Sequence, residues 1–263
     1  MDDNHILPEV REDGVATITL NRADVHNAFN DAVIADLTDA LRRLGADDTV
    51  RAVVLRAEGK SFSAGADLGW MQRMAGYGHE ENLRDAAALA ELMRMLNFLP
   101  KPTVARVQGA AFGGGVGLVA CCDIAIASDA AAFSLSEVRL GLIPAVISPY
   151  VVAAIGERAA RRYFLTAERF DAAEALRIGL VHQVVPADQL DTAVDAILTR
   201  LSEGGPAAQR AAKDLIFAVA HRPVDQSLIH DTAERIANIR ASSEGREGLA
   251  GFLEKRKPAW TVR

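Results

Sequence analysis

The sequence predicts an α/β core followed by a helical C-terminal part. Strand-like and helix-like segments alternate up to about residue 200, and from Ala207 onward almost no strand pattern remains. A third observation locates the centre of the chain. In Gly109–Ser148 (GAAFGGGVGLVACCDIAIASDAAAFSLSEVRLGLIPAVIS) a triple glycine, Gly113, Gly114 and Gly115, follows a strand-like segment and opens the apolar run Val116–Cys122. Glycines there let backbone approach a ligand closely, and the first turn of a helix carries N–H groups with no intrahelical partner. Such a turn favours negative charge.

Taken in order, Gly14–Leu20 (GVATITL) alternates Val15, Thr17 and Thr19 with Ala16, Ile18 and Leu20, as a strand does. Val33, Ile34, Leu37, Leu41 and Leu44 recur at helical spacing, so Asp31–Leu44 is a helix with Gly45 as its end. Arg51–Arg56 is a second strand, carried by EGKSFSAGADLGWM through a turn on Ala64, Gly65 and Ala66 into a short helix. Leu83–Leu99 is a long helix closed by Pro100 and Pro102, and Thr103–Val107 is the strand that feeds the triple glycine. Ile124–Ala127 is a strand; Pro149–Phe170 reads as helical; Asp171–Ile178 is a helix stopped by Gly179. Leu180–Val185 is a strand stopped by Pro186, and Asp188–Leu201 is helical before Gly204, Gly205 and Pro206 break the chain. The expected division is a core over 1–204 and a helical region over 205–263.

With 263 residues, half of them hydrophobic, the chain can bury a full core, as one large domain or one domain with an appendage. A net charge of -6 gives no electrostatic reason to expect nucleic acid. Cys121 and Cys122 are adjacent inside the apolar run and read as small core residues of a reducing compartment. No stretch of about eighteen apolar residues and no basic-then-apolar leader occurs, so a soluble, cytoplasmic protein without a membrane partner is expected. His5, His26, His79, His182, His221 and His230 show no metal-ligand spacing, and no metal site is expected.

The strand, small-residue turn and helix unit occurs twice. One N–H from each turn, converging on one oxygen, would form an oxyanion hole, in which losing a donor typically costs roughly 3 kcal/mol of transition-state stabilisation. Such a hole serves tetrahedral intermediates or enolates. There is no Gly-x-Ser-x-Gly elbow, and the cysteines lie in a helix interior, so enolate chemistry fits better. Glu137 stands beside Val138, Leu140, Leu142 and Ile143; a carboxylate in apolar company is a candidate acid or base. On the residues alone, the bland reading of Glu137 is a surface or salt-bridged residue. Asp67 is most simply the N-cap of the helix after Ala66.

Taken together, SFSAGADL at Ser61–Leu68, VQGAAFGGG at Val107–Gly115, Cys122 with Asp123, FSLSEVRLGLIP at Phe133–Pro144 and FLEKRKPAW near the C-terminus resemble the crotonase, or enoyl-CoA hydratase/isomerase, superfamily over essentially the whole chain. The resemblance implies a spiral of β-β-α units, a C-terminal helical trimerisation region, and a homotrimer or a hexamer of two trimers. It implies an acyl-CoA thioester whose carbonyl oxygen is held by the N–H groups of Ala66 and Gly114, with Glu137 moving protons. Coenzyme A is then part of the substrate and no separate cofactor is expected. It also implies substrate contacts at Ala64, Asp67, Leu68, Trp70 and Met71, with His26 in a loop near CoA and Lys255 as a CoA-contacting lysine. The bland readings are core packing for Trp70 and Met71 and a solvated charge cluster for Lys255.

Typical hydratases of this superfamily carry a first glutamate two residues after the triple glycine; here that position is Gly117. The finer features, among them Trp70 and Met71, GGGVGLVACCD, LSEVRLGLIPAVISPYVV and IGERAARRYFLTAERF, resemble the bacterial methylglutaconyl-CoA hydratases of leucine and isovalerate breakdown, which also lack it. That resemblance implies syn addition of water across an α,β-double bond. Isohexenylglutaconyl-CoA hydratases of acyclic terpene degradation, and single-glutamate enoyl-CoA isomerases, are the rival expectations. Some superfamily members associate with RNA, a role the mild acidity argues against, and a structural subunit would have no need to retain Glu137. For a distal substrate carboxylate, Arg73, Arg139, Ser148 and Tyr150 are the possible partners.

Overall fold

The computed structural model describes residues 5–261. The first strand, β1 (Ile6–Val10), pairs antiparallel with β2 (Val15–Leu20), Ile6 opposite Leu20. Sequence reading misses β1: Pro8 interrupts its pattern and four of its five residues are exposed, which is the signature of an edge strand. Next come α1 (Asp31–Ala46), β3 (Ala52–Ala57), α2 (Leu68–Met74), α3 (His79–Asn97), β4 (Thr103–Val107) and β5 (Ala111–Phe112). The chain continues through α4 (Gly114–Cys121), β6 (Ile124–Ser128), β7 (Ala132–Ser134), α5 (Ser148–Thr166), β8 (Phe170–Asp171), α6 (Ala172–Ile178), β9 (Gln183–Val185) and α7 (Leu190–Glu203). It ends in α8 (Pro206–Val219), α9 (Gln226–Ala241) and α10 (Ser243–Leu253).

The main sheet has the order β1-β2-β3-β4-β6-β9, parallel from β2 onward, and a small second sheet has the order β5-β7-β8. Both faces of the main sheet are covered. Ile18, Val53, Leu55, Ala105 and Val107 pack with α1, α3, α4 and α5 in the larger core. Val15, Ala52, Val54, Val104 and Ile126, the alternate residues of the same strands, pack on Leu190, Val194 and Leu198 of α7. A parallel sheet buried on both sides explains why its strands read as nearly continuous apolar runs.

Helix boundaries follow their caps. The Asn30 side chain accepts from the Val33 N–H at 2.9 Å and starts α1. That helix does not end at Gly45, as expected, but runs to Ala46: Gly45 is a packing position, where an added β-carbon would lie 3.0 Å from Leu99 Cδ1. The long helix α3 begins at His79 rather than Leu83, because Glu81 accepts from the Gly78 N–H at 2.8 Å and caps a polar first turn that has no apolar periodicity to reveal it. The expected strand Leu180–Val185 shortens to Gln183–Val185, since the N–H groups of Leu180 and Val181 turn back to the Ala175 carbonyl and close α6. Gly156, with φ 73°, kinks α5.

Candidate active site

Two turns meet, one between β3 and α2 and the other between β5 and α4. In the first, Ser63 pairs with Ala111: Ser63 N–H donates to the Ala110 carbonyl (3.0 Å) and Phe112 N–H to the Ser63 carbonyl (2.9 Å). Phe29 makes a second parallel bridge, its N–H donating to the Gly65 carbonyl and its carbonyl accepting from the Asp67 N–H, both at 2.7 Å. That register engages the residues on either side of Ala66 and leaves Ala66 N–H with no acceptor among the described residues. Asp67 then caps α2, accepting from Gly69 N–H (2.8 Å) and Trp70 N–H (3.1 Å), and pairs with Arg22 at 3.1 Å. Desolvation pushes its carboxyl up, but the Trp70 N–H and Arg22 outweigh that and hold it below the usual aspartate range.

The second turn is the triple glycine. Gly113 has φ 50° and ψ -117°, a conformation that favours glycine; its N–H donates to the Ser134 carbonyl (2.9 Å) and its carbonyl accepts from Val116 (2.9 Å) and Gly117 (3.2 Å). As the first residue of α4, Gly114 has an N–H that finds no acceptor among the described residues. A β-carbon at Gly114 would lie 2.6 Å from Cε2 of Phe29, so the close approach of that ring requires glycine. Phe29 thus holds both turns, one through its backbone and the other through its ring. The turns also touch directly: a β-carbon at Gly65 would lie 3.1 Å from the Phe112 carbonyl oxygen and 4.0 Å from Gly113 Cα.

Glu137 opens a 3₁₀ turn, Glu137–Leu140, ended by Gly141 at φ 71°. Its Oε1 lies 3.2 Å from the place a Gly113 β-carbon would take, and its Oε2 is buried with no hydrogen-bond partner. Desolvation pushes the carboxyl pKa up, opposed only by the residue's own N–H. The structure thus brings Ala66, Gly114 and Glu137 to one place.

Around them, His26 is exposed at φ 55°, with Nδ1 3.1 Å from Ser61 Oγ and its carbonyl accepting from Ala64 N–H at 2.9 Å. Ala64 and Ala66 are exposed, Leu68 is 78% exposed at the start of α2, and Met71 is half-buried. Trp70 is buried in the core, its Nε1 donating to Asp85 of α3 at 2.9 Å. Two residues, a little over half a turn of α2, put it on the opposite side of the helix from the exposed Leu68. Lys255 lies past the end of α10 at φ 56°, with its N–H on the Phe252 carbonyl, and makes no hydrogen bond with either turn among the described residues. Of the possible carboxylate partners, Arg73 is paired with Asp31 at 2.6 Å and Ser148 Oγ donates to the Ala145 carbonyl at 2.7 Å. Arg139 has no ion pair, and the Tyr150 hydroxyl no hydrogen bond, among the described residues; burial pushes the Tyr150 phenol up.

Sequence reading misses Phe29 and Ser63; that Phe29 is the one aromatic residue in NRADVHNAFND is the only signal for it. Among the described residues no group of three or more His, Cys, Asp or Glu side chains is placed to hold a metal, and no helix is long and apolar enough to cross a membrane. Burial pushes the Cys122 thiol up to about 12, which suits a core residue.

The arrangement is that of two unengaged N–H groups beside the Glu137 carboxylate, carried on a mixed α/β crotonase fold. The enoyl-CoA hydratase/isomerase family profile matches residues 10–263, and the chain belongs to that family. A Legionella pneumophila crystal structure assigned as an enoyl-CoA hydratase/isomerase (crotonase) superposes with a TM-score of 0.92 at 50% identity, over 97% of this chain and 98% of that one. The crotonyl-CoA hydratase of Syntrophomonas wolfei is 32% identical over 94% of each chain. The trans-2-decenoyl-(acyl-carrier-protein) isomerase of Streptococcus mutans is 32% identical over 99% of each.

Proposed function

We propose that the chain is an enoyl-CoA hydratase acting on 3-methylglutaconyl-CoA. One observation carries the reading: two unengaged N–H groups, on Ala66 and Gly114, stand on turns in contact, with the Glu137 carboxyl against the second turn. The thioester oxygen accepts from both N–H groups, which polarises the conjugated double bond. As the oxygen of water bonds to the β-carbon, the π electrons shift onto the thioester oxygen as an enolate. Glu137 carboxylate takes the proton released by the water and delivers it to the α-carbon as the carbonyl re-forms. The product gains hydroxyl at the β-carbon and hydrogen at the α-carbon, and Glu137 returns to its starting state.

Burial favours this role, because a raised pKa makes the carboxylate a better proton acceptor. No second carboxylate stands at Gly117, so one group carries both transfers. The distal carboxylate of a glutaconyl group needs a cation or free donors, and Arg139 and Tyr150 are the two partners not already engaged. Ala64, Leu68 and Met71 line the approach from the exposed side, with His26 beside the CoA portion. Asp67 acts through the turn, by holding the start of α2. A homotrimer, or a hexamer of two trimers, is supported by the apolar residues that the C-terminal helices leave exposed, with Phe252 82% exposed and Leu249 and Leu253 close to it in sequence.

The single carboxylate and the likeness to an isomerase favour one second reading, a shift of the double bond without water addition. Offering 3-methylglutaconyl-CoA, crotonyl-CoA and 3-hexenoyl-CoA to the purified protein, with product mass as readout, separates the two. Water addition to the first substrate, lost in Glu137→Gln, supports the hydratase. A shifted 3-enoyl double bond with no mass change, and no hydration, overturns it in favour of the isomerase.

A further inference from the structure

Position 117 is closed by a side chain from another element. Gly117 lies three residues past Gly114, one turn along the same face of α4. A β-carbon added there would lie 2.3 Å from Ile147 Cγ2, 2.9 Å from Ile147 Cβ and 3.2 Å from Met93 Cε. Ile147 is 3% exposed and is held at the start of α5, its carbonyl accepting from Tyr150 N–H (3.2 Å) and Val151 N–H (3.0 Å). Met93 is fully buried on α3. The face of α4 that starts at the free Gly114 N–H therefore ends, one turn on, against a fixed aliphatic side chain.

We propose that Ile147 is a specificity-determining residue, a plug that occupies the side-chain space of position 117 and ends the acyl site one helical turn beyond Gly114. This rests on the enoyl-CoA reading above. A plug there limits the site to a short or compact acyl group. It also excludes a carboxylate from position 117, since a larger residue cannot enter while Ile147 stays. A compact 3-methylglutaconyl group fits such a site, and a long acyl tail does not.

The test uses binding of unreactive saturated acyl-CoAs, so that it does not depend on which reaction occurs. Calorimetric Kd values for butyryl-CoA and decanoyl-CoA are compared between the intact protein and Ile147→Ala. The intact protein should favour butyryl-CoA, and Ile147→Ala should move the ratio of the two constants toward decanoyl-CoA by about tenfold or more. Should Ile147→Ala fail to fold, Ile147→Val should move the ratio in the same direction by a smaller factor. Gly117→Ala should lower Tm, and Gly117→Ala/Ile147→Ala should recover part of that loss. A ratio unchanged within about twofold, decanoyl-CoA bound by the intact protein as tightly as butyryl-CoA, or a Gly117→Ala variant as stable as the parent would each overturn the plug. Glu137→Gln should keep the parent's binding ratio while losing turnover; retained turnover would sink the catalytic reading and leave the plug to be decided by the ratio.

Discussion

The carboxyl of Glu137 lies against Gly113: a methyl group on that glycine would come within 3.2 Å of Oε1 and 3.7 Å of Cδ. The glycine that shapes the second turn is therefore also the surface on which the carboxylate rests. Gly113→Ala should act twice. The methyl group displaces the carboxyl, and the backbone at φ 50° becomes strained by about 1–3 kcal/mol. The expected outcome is a lower Tm together with a fall in kcat, measured on crotonyl-CoA beside a urea unfolding curve. A variant with full kcat would mean that the contact does not position Glu137.

Glu137→Gln keeps the shape of the side chain and removes its basicity. General acid–base groups contribute about 10²–10⁴-fold, so kcat should drop by that order with KM little changed. Stability should move the other way. The folded state holds the Glu137 proton more tightly than the unfolded chain does, so stability falls as pH rises from the unfolded pKa of about 4.3 through the raised folded value, and the penalty persists above it. Glu137→Gln removes that penalty and should melt higher than the parent at pH 7. Below about pH 4 the difference should vanish.

The pH–rate profile follows from the same burial. Glu137 must start as the carboxylate to accept the proton of water, so kcat/KM should fall as pH drops through its raised pKa. The midpoint should lie above the ordinary glutamate value of about 4.3, and the acid limb should be absent from the residual activity of Glu137→Gln. An acid limb centred at or below that value would contradict the burial of the group.

Asp67 places Ala66 by fixing where α2 begins. Asp67→Ala removes a side-chain cap from two N–H groups and the partner of the half-buried Arg22, and should cost about 1–2 kcal/mol in urea unfolding. Because the cap stands next to the Ala66 donor, kcat should fall as well. Asp67→Asn, which can still cap, should recover most of both losses. If both variants keep full kcat, the cap contributes stability alone.

What the sequence made legible was local. The helices showed through 3.6-residue spacing, the strands of the main sheet through apolar runs, and the two turns through glycines and small residues in one repeated unit. Glu137 stood out because its neighbours are apolar. What stayed hidden depends on contacts between distant segments. Phe29 joins Ala66 to Gly114 by pairing with one and packing on the other, and nothing in its own neighbourhood announces either contact. Gly117 reads as a missing carboxylate until Ile147 is seen to fill the space. Trp70 sits beside the turn in sequence, yet the rotation along α2 sends its ring to Asp85. The short strands β5, β7 and β8 span too few residues to show a period, and they form only because the turns bring them together.

Asp123, one of the motif residues that marked the family, does structural work that the motif itself does not disclose. It accepts from Thr103 N–H (2.8 Å), Thr103 Oγ1 (2.9 Å) and Lys213 Nζ (2.8 Å), and its own N–H donates to Thr103 Oγ1 (2.8 Å). It therefore ties β4 to the start of β6 and anchors α8, a helix with no buried residue of its own that also rests through Phe217 on Phe98, ring centroids 4.7 Å apart. Asp123→Ala strands the Thr103 N–H and leaves Lys213, whose side chain is 12% exposed, without its carboxylate; about 3 kcal/mol should be lost. Lys213→Met leaves Asp123 with both Thr103 donors and should cost only about 1 kcal/mol. The double variant should then lose less than the sum of the two, since Lys213→Met has already removed the stranded cation. Urea unfolding of all three checks the energies, and limited proteolysis at Gly204–Pro206 checks the anchoring, which Asp123→Ala should weaken. Additive losses would mean that Lys213 and Asp123 stabilise the fold independently, each through other partners.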